Sequence, residues 1–177
     1  MTLYTIGLGC RRGVGSAAID AAVRFALGAT WSARLLPDAG DHRPFAGGPA
    51  AVDTHASGTG TATWNTGVLV QVATLDAKAT ESGLLDYCAR HRLALRHFPQ
   101  EALAALAAHA PDVSRPSDAV RARFGIDGVC ELAALCASPR GVLLVRKTSR
   151  HGVSVALSGP AATGPVWEDA STFTDDR

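Results

Sequence analysis

Leu3-Tyr4-Thr5-Ile6-Gly7-Leu8-Gly9-Cys10-Arg11-Arg12-Gly13 opens the chain and decides its reading. An apolar, partly β-branched run over residues 3–8 predicts a buried strand, and the glycines that end it predict a tight turn. Ile19, Val23, Ala26 and Leu27 then recur at helical spacing, with Ser16 placed to cap the start and Gly28 to end the helix. Strand, glycine turn and helix in that order expose backbone N–H groups at the positive end of a helix dipole. Arg11 and Arg12 add fork-shaped donors there. The turn is therefore read as an anion receptor, with two solvated arginines beside a tight corner as the plain alternative. A dinucleotide fingerprint is disfavoured, because Arg12 stands where its third glycine belongs.

Outward from this turn the chain alternates. Val68, Leu69, Val70, Val72 and Ala73 predict a strand buried on both faces, followed by a helix over 80–90 with Leu84, Leu85 and Cys88 facing inward. A strand over 93–98 and an alanine-rich helix over 99–109 follow. Two short helices over 117–124 and 129–136 flank Gly125-Ile126-Asp127-Gly128, in which Asp127 is placed as an N-cap. Strands over 142–147 and 153–157, joined by a turn over 148–152, close the pattern as an antiparallel pair. The expected fold is α/β: a single domain with a mixed sheet of about five strands and helices packed against it. It spans residues 1–158. Residues 30–66, rich in Gly, Thr and Pro, read as a long insertion, and residues 159–177 as a mobile tail.

The 177 residues, 47% of them hydrophobic, suffice for one core. Seventeen basic against sixteen acidic side chains leave a net charge of +1, which excludes general attraction to nucleic acid or an anionic membrane. No stretch is long enough for a membrane span. Cys10, Cys88, Cys130 and Cys136 lack zinc-ribbon spacing, and the expected compartment is the cytoplasm, with no metal site and no cofactor. The last three fall on apolar helix faces. Cys10, beside two arginines and a helix start, is the thiol whose pKa could fall. His42, Arg43, Asp53 and His55 read as solvated loop residues.

Open α/β sheets bind ligands beyond the carboxyl ends of their strands, which directs attention to three segments. The first strand delivers Gly9 to Gly13. The second delivers Asp76, Lys78 and Glu81, with Asp76 and Lys78 spaced either for a loop ion pair or for ligand contact. The closing hairpin carries Lys147 and Gly152. Gly9, Cys10, Arg11, Arg12, Gly13, Asp76, Lys78, Lys147 and Gly152 are thus the candidate ligand-binding residues, and Asp76 and Glu81 the candidate acid/base pair. His91, His97 and His109 are given no role.

Four blocks carry a family resemblance: residues 7–13; residues 73–78 with 83–85; Gly125-Ile126-Asp127-Gly128-Val129-Cys130-Glu131; and residues 143–147 followed by 152–156. In this order they resemble the signature blocks of the CobE/CbiG C-terminal domain family of cobalamin biosynthesis, in its stand-alone form. The resemblance does not extend to residues 30–66 or to the tail. It implies a role in corrin-ring assembly and a precorrin-type tetrapyrrole as ligand, with other corrin-pathway enzymes as partners. Bidentate arginine suits the carboxylates of such a ligand. Binding as a carrier or accessory to a ring-modifying step is the leading expectation. A hydrolase opening the ring A lactone, and a nucleotide or phosphate-ester binding module, are the alternatives.

Overall fold

The computed structural model describes residues 2–36, 62–64, 68–109, 128–138 and 140–161. Strand β1 (Thr2–Cys10) leads into helix α1 (Ser16–Leu35), a short strand β2 (Ala62–Trp64) precedes β3 (Val68–Leu75), and a 3-10 turn at Asp76–Lys78 leads to α2 (Ser82–His91). Then come β4 (Ala94–Phe98), α3 (Gln100–Ala107), α4 (Val129–Cys136), β5 (Gly141–Arg150) and β6 (Val153–Pro160). One mixed sheet takes all six strands in the order β2-β3-β1-β6-β5, with β4 also on β3. β2 and β4 share one edge of β3: β2 pairs antiparallel with Val68 to Val70, and β4 parallel with Gln71 to Leu75. Six strands therefore occupy five lateral positions, and the expected sheet of about five is what forms.

Alternation along β1 separates two faces. Tyr4, Ile6, Leu8 and Cys10 join Ile19, Val23 and Leu27 of α1 and Leu84, Tyr87 and Cys88 of α2 in the larger core. The opposite face carries α3 and α4 through Ala73, Leu75, Leu103, Leu132 and Ala133. Here small residues in register, Ala73, Gly7 and Ala156, form a row across β3, β1 and β6. A Cβ on Gly7 would stand 1.8 Å from the carbonyl oxygen of Cys130, so only glycine admits α4 this close. The next row, Gln71, Thr5 and Ser158, is polar and buried. Its hydrogen bonds go to the far end of α4: Thr5 Oγ1 meets Ser138 Oγ at 2.7 Å, and Gln71 Nε2 donates to Ala137 O at 3.0 Å. Ser158 Oγ donates to Ala134 O at 2.8 Å. Helix α4 thus runs antiparallel to β1 and aims its N-terminus at the carboxyl ends of the strands.

Several local expectations are corrected. Gly28 breaks α1 with φ 66° but does not end it, and the helix resumes to Leu35. The cap of α1 is Gly15 rather than Ser16. Of residues 30–66, those described belong to α1, which ends at Leu35 and is capped by Leu36, and to β2 (Ala62–Trp64), with Trp31 edge-on to Tyr4 at 5.5 Å. β5 and β6 extend to a two-residue turn at His151 and Gly152, both at positive φ as the tight hairpin geometry requires. β6 also takes in Gly159 and Pro160 from the expected tail. α4 starts after Gly128 in the left-handed region. Asp127, the expected helix over 117–124, the loop residues His42 to His55 and the tail beyond residue 161 lie outside the described residues. Among those described, no helix is long and apolar enough to cross a membrane.

Candidate functional site

The carboxyl ends of β4, β3 and β1 and the tip of the β5–β6 hairpin form a continuous polar rim. α1, α2 and α3 all begin there, immediately after β1, β3 and β4, so their positive dipole ends converge on it. α2 is brought against the β1 turn by Gly83, where a Cβ would fall 2.0 Å from Val14 O. That approach seats Glu81 under the turn. Glu81 Oε2 accepts the Gly13 N–H at 3.1 Å, and Oε1 accepts from Lys78 Nζ at 3.2 Å. The Gly13 amide first, then Lys78 and the nearby Arg12, hold the Glu81 carboxyl below the ordinary carboxylate range.

On the hairpin side, the Arg11 N–H donates to Gly152 O at 2.9 Å. A Cβ on Gly152 would meet Arg11 Cδ at 3.2 Å, so the arginine stem lies across the hairpin tip. Arg11, Arg12 and Gly13 are exposed. On the other side, Asp76 Oδ1 lies 2.6 Å from His97 Nδ1, with side-chain exposures of 49% and 40%. His97 pairs in register with Thr74, whose hydroxyl donates to Leu8 O at 2.8 Å.

The structure therefore brings Cys10 to Gly13, Lys78, Glu81 and Gly152 together, with Asp76 one step along the rim. The Asp76–Lys78 ion pair considered from spacing does not form: Asp76 takes His97 and Lys78 takes Glu81. Lys147 lies on β5, two strands from β1, beside the first turn of α4. β5 has one residue more than β6 between the pairs Val145–Leu157 and Thr148–Val155, and this bulge releases the Lys147 N–H from the ladder. Glu131, fully buried in the first turn of α4, accepts it at 2.8 Å. Gly9 lies on that same α4 face, where a Cβ would meet only Ser154 Cβ at 3.9 Å.

Cys10 is buried, and its thiol pKa is raised, not lowered. Burial dominates, the Glu81 carboxylate adds to it, and Lys78 only partly opposes. A thiol held protonated is a poor nucleophile. Cys88 and Cys130, also buried, are pushed up to about 12. Among the described residues no group of three or more His, Cys, Asp or Glu is arranged to hold a metal ion.

His97 and Glu131 were not singled out in the sequence as functional residues. His97 becomes visible once β4 is known to pair with β3, because only that pairing sets it beside Asp76. Glu131 becomes visible once the bulge in β5 is known.

Fold and rim together define an α/β protein with a polar border, carrying Arg11, Arg12 and Lys78, at the ends of its parallel strands. Residues 53–158 match the family described as cobalamin synthesis G C-terminus. The chain belongs to this family, the CobE/CbiG type of cobalamin-biosynthesis protein. It is 39% identical over 100 residues to Protein CobE of Sinorhizobium sp., a match that takes in 54% of this chain and 60% of that relative's length. The crystal structure of CobE, a protein from the cobalamin (vitamin B12) biosynthetic pathway, superposes with a TM-score of 0.62 at 22% identity, covering 90% of this chain and 92% of the other. That of the cobalamin biosynthesis protein chiG from Agrobacterium tumefaciens str. C58 gives 0.54 at 25% identity, covering 90% and 99%. The family match begins after β1, so the glycine-arginine turn lies outside it.

Proposed function

We propose that the rim binds a polycarboxylate tetrapyrrole of the precorrin type, and that the protein acts as a carrier or as an accessory to a ring-modifying step. The observation that carries this reading is the state of the arginines. Arg11 and Arg12 are exposed at the mouth of converging helix dipoles, and among the described residues neither guanidinium forms a salt bridge. Lys78 is already taken by Glu81. Two exposed forks outside any ion pair among the described residues, on a nearly neutral chain, suit a ligand that brings several carboxylates of its own. The hydrolase alternative asks Asp76 or Glu81 to accept a proton. Glu81 is engaged by two donors that favour its ionised form, and Asp76 by His97, which supports binding over acid/base work by these carboxylates.

The test is titration of a fully carboxylated porphyrin, followed by fluorescence. Replacing Arg11 and Arg12 together by alanine is expected to weaken binding by about 1.5–3 kcal/mol for each charged hydrogen bond lost. Unchanged affinity in a double variant with a native circular dichroism spectrum would overturn the placement. Conversion of a purified lactone-bearing corrin intermediate by this protein alone, lost in Asp76→Asn, would favour the hydrolase instead.

A further inference from the structure

Resting on that reading, we propose that a shelf on the α4 face of the strand ends, between Arg11 and Lys147, takes a carboxylate arm of the bound tetrapyrrole. Lys147 thereby makes the protein favour a ring with the full set of carboxylates over one with fewer.

Alternation and the β5 bulge set the face. Gly7, Gly9 and Arg11 follow at every second position, and the bond from the Arg11 N–H to Gly152 O carries the β1–β6 ladder one pair beyond Cys10 and Val153. Arg11 therefore stands on the face of Gly7 and Gly9, against which α4 packs. On β5, Val145 and Thr148 pair with Leu157 and Val155, whose side chains lie in the larger core on the opposite face. Arg146 and Lys147 together oppose the one residue between those partners, Ala156, which shares its row with Gly7. The bulge thus sets both on the α4 side. The Lys147 N–H is bonded to Glu131 of α4, and the Lys147 charge acts on Cys130, where it opposes the upward push of burial on the thiol.

α4 leaves the shelf open. Its Cys130 carbonyl lies over Gly7, whereas a Cβ on Gly9 would meet only Ser154 Cβ at 3.9 Å. Gly9, Ser154 and Ser149 lie in register across β1, β6 and β5. Arg11 stands one row beyond them and Lys147 one row before, each roughly 7 Å away along the strands. Ser149 Oγ and Ser154 Oγ are 2.8 Å apart. That bond uses one hydroxyl hydrogen and leaves the other to donate.

Lys147 is half-buried, and among the described residues its ammonium forms no ion pair. Glu131 takes its amide instead. An ammonium that gives up part of its water without gaining a carboxylate costs free energy, which a carboxylate brought by a ligand offsets. Lys78, the chain's other lysine, already has Glu81. Two cations outside any ion pair, with a pair of hydroxyls between them, match a carboxylate in charge and in hydrogen bonding.

The experiment titrates the whole chain with an octacarboxylate porphyrin and with a tetracarboxylate porphyrin that lacks the acetate arms. The octacarboxylate is expected to bind about 10-fold tighter or more. Lys147→Gln should remove that preference, lowering octacarboxylate affinity about 10-fold and leaving tetracarboxylate affinity within about 2-fold. Arg90→Gln takes the same charge from the far end of α2 and should leave both affinities unchanged. Bound octacarboxylate should also shield Lys147 from reductive methylation, read by peptide mass spectrometry. Circular dichroism and thermal unfolding check that each variant is folded. Equal binding of the two probes by the unaltered protein, an undiminished preference in folded Lys147→Gln, an equal loss in Arg90→Gln, or methylation of Lys147 that the octacarboxylate does not slow would overturn the shelf and leave the polycarboxylate reading standing. Failure of both probes to bind would overturn both readings.

Discussion

Glu81 accepts the backbone N–H of Gly13 at 3.1 Å, joining two strand-to-helix turns that are 68 residues apart in the chain. Deeper in the sheet the same two strands are tied a second time, by the Thr74 hydroxyl donating to Leu8 O at 2.8 Å. The carboxylate fixes the glycine-arginine turn, and through Lys78 it also quiets the one lysine on the same connection.

This clamp has a pH signature. The folded state lowers the Glu81 pKa from its ordinary 4.5, the Gly13 amide being the largest cause. A depressed carboxyl gives stability that is complete above the ordinary value and is lost as pH falls through the lower folded value. Melting temperatures recorded between about pH 7 and pH 3 should therefore fall more steeply for the unaltered protein than for Glu81→Gln, which has no charge to lose. Parallel pH profiles would show that the bond contributes nothing.

Gly7 and Gly9 look alike in sequence and should behave oppositely. At Gly7 a Cβ would collide with the Cys130 carbonyl at 1.8 Å, a backbone atom that cannot rotate away. Gly7→Ala should therefore cost about 3 kcal/mol or more in urea unfolding, as overpacking against a rigid neighbour does. At Gly9 the nearest atom is Ser154 Cβ at 3.9 Å, ordinary contact. Gly9→Ala should stay within about 0.5 kcal/mol of the parent. A large loss at Gly9, or none at Gly7, would contradict the packing of α4 on the sheet.

These two glycines also show how far the chain could be read without its structure. The apolar runs made β1 and β3 legible, because burial on both faces leaves a nearly unbroken hydrophobic signature. Val129–Cys136 was recognisable to the residue, since an apolar helix bounded by a glycine has few alternative limits. The rim residues from Cys10 to Gly13 and from Asp76 to Glu81 stood out because a strand-to-helix turn concentrates polar groups. Their partners did not. Asp76 to His97 and Glu81 to Gly13 depend on which strands are neighbours, and Glu131 to Lys147 depends on a bulge. Such long-range pairings leave no period in the sequence. The direction of the Cys10 shift was hidden for the same reason: two arginines lie beside it in sequence, while in space burial and Glu81 outweigh the nearby lysine.

Glu131 is buried in the first turn of α4, and its Oε1 satisfies the Lys147 N–H that the β5 bulge strands. Truncation leaves that amide desolvated and opens a cavity, so Glu131→Ala should lose about 3 kcal/mol. Glu131→Gln retains a carbonyl acceptor of nearly the same shape and should recover most of the loss. Hydrogen exchange at Lys147 gives a local readout: it should quicken in Glu131→Ala and remain slow in Glu131→Gln. Equal losses in the two variants would mean that the amide is not what the carboxylate supports.

Tyr87 reverses the usual direction of a core substitution. Its side chain is fully buried between α1 and α2, with its ring 4.6 Å from that of His91, and its hydroxyl has no hydrogen-bond partner among the described residues. Burial, with the Asp20 carboxylate adding to it, drives the phenol pKa well above its ordinary value, so the group is a neutral hydroxyl at neutral pH. Removing water from such a group costs free energy that no bond returns. Phenylalanine keeps the ring and its contacts while removing only the oxygen. Tyr87→Phe should therefore gain about 1 kcal/mol in stability and leave porphyrin titration unchanged, since the hydroxyl lies below α2 and away from the rim. A loss of similar size would reveal a partner, such as a buried water bridging to Asp20, and would make the Tyr87 hydroxyl part of the bond between the two helices.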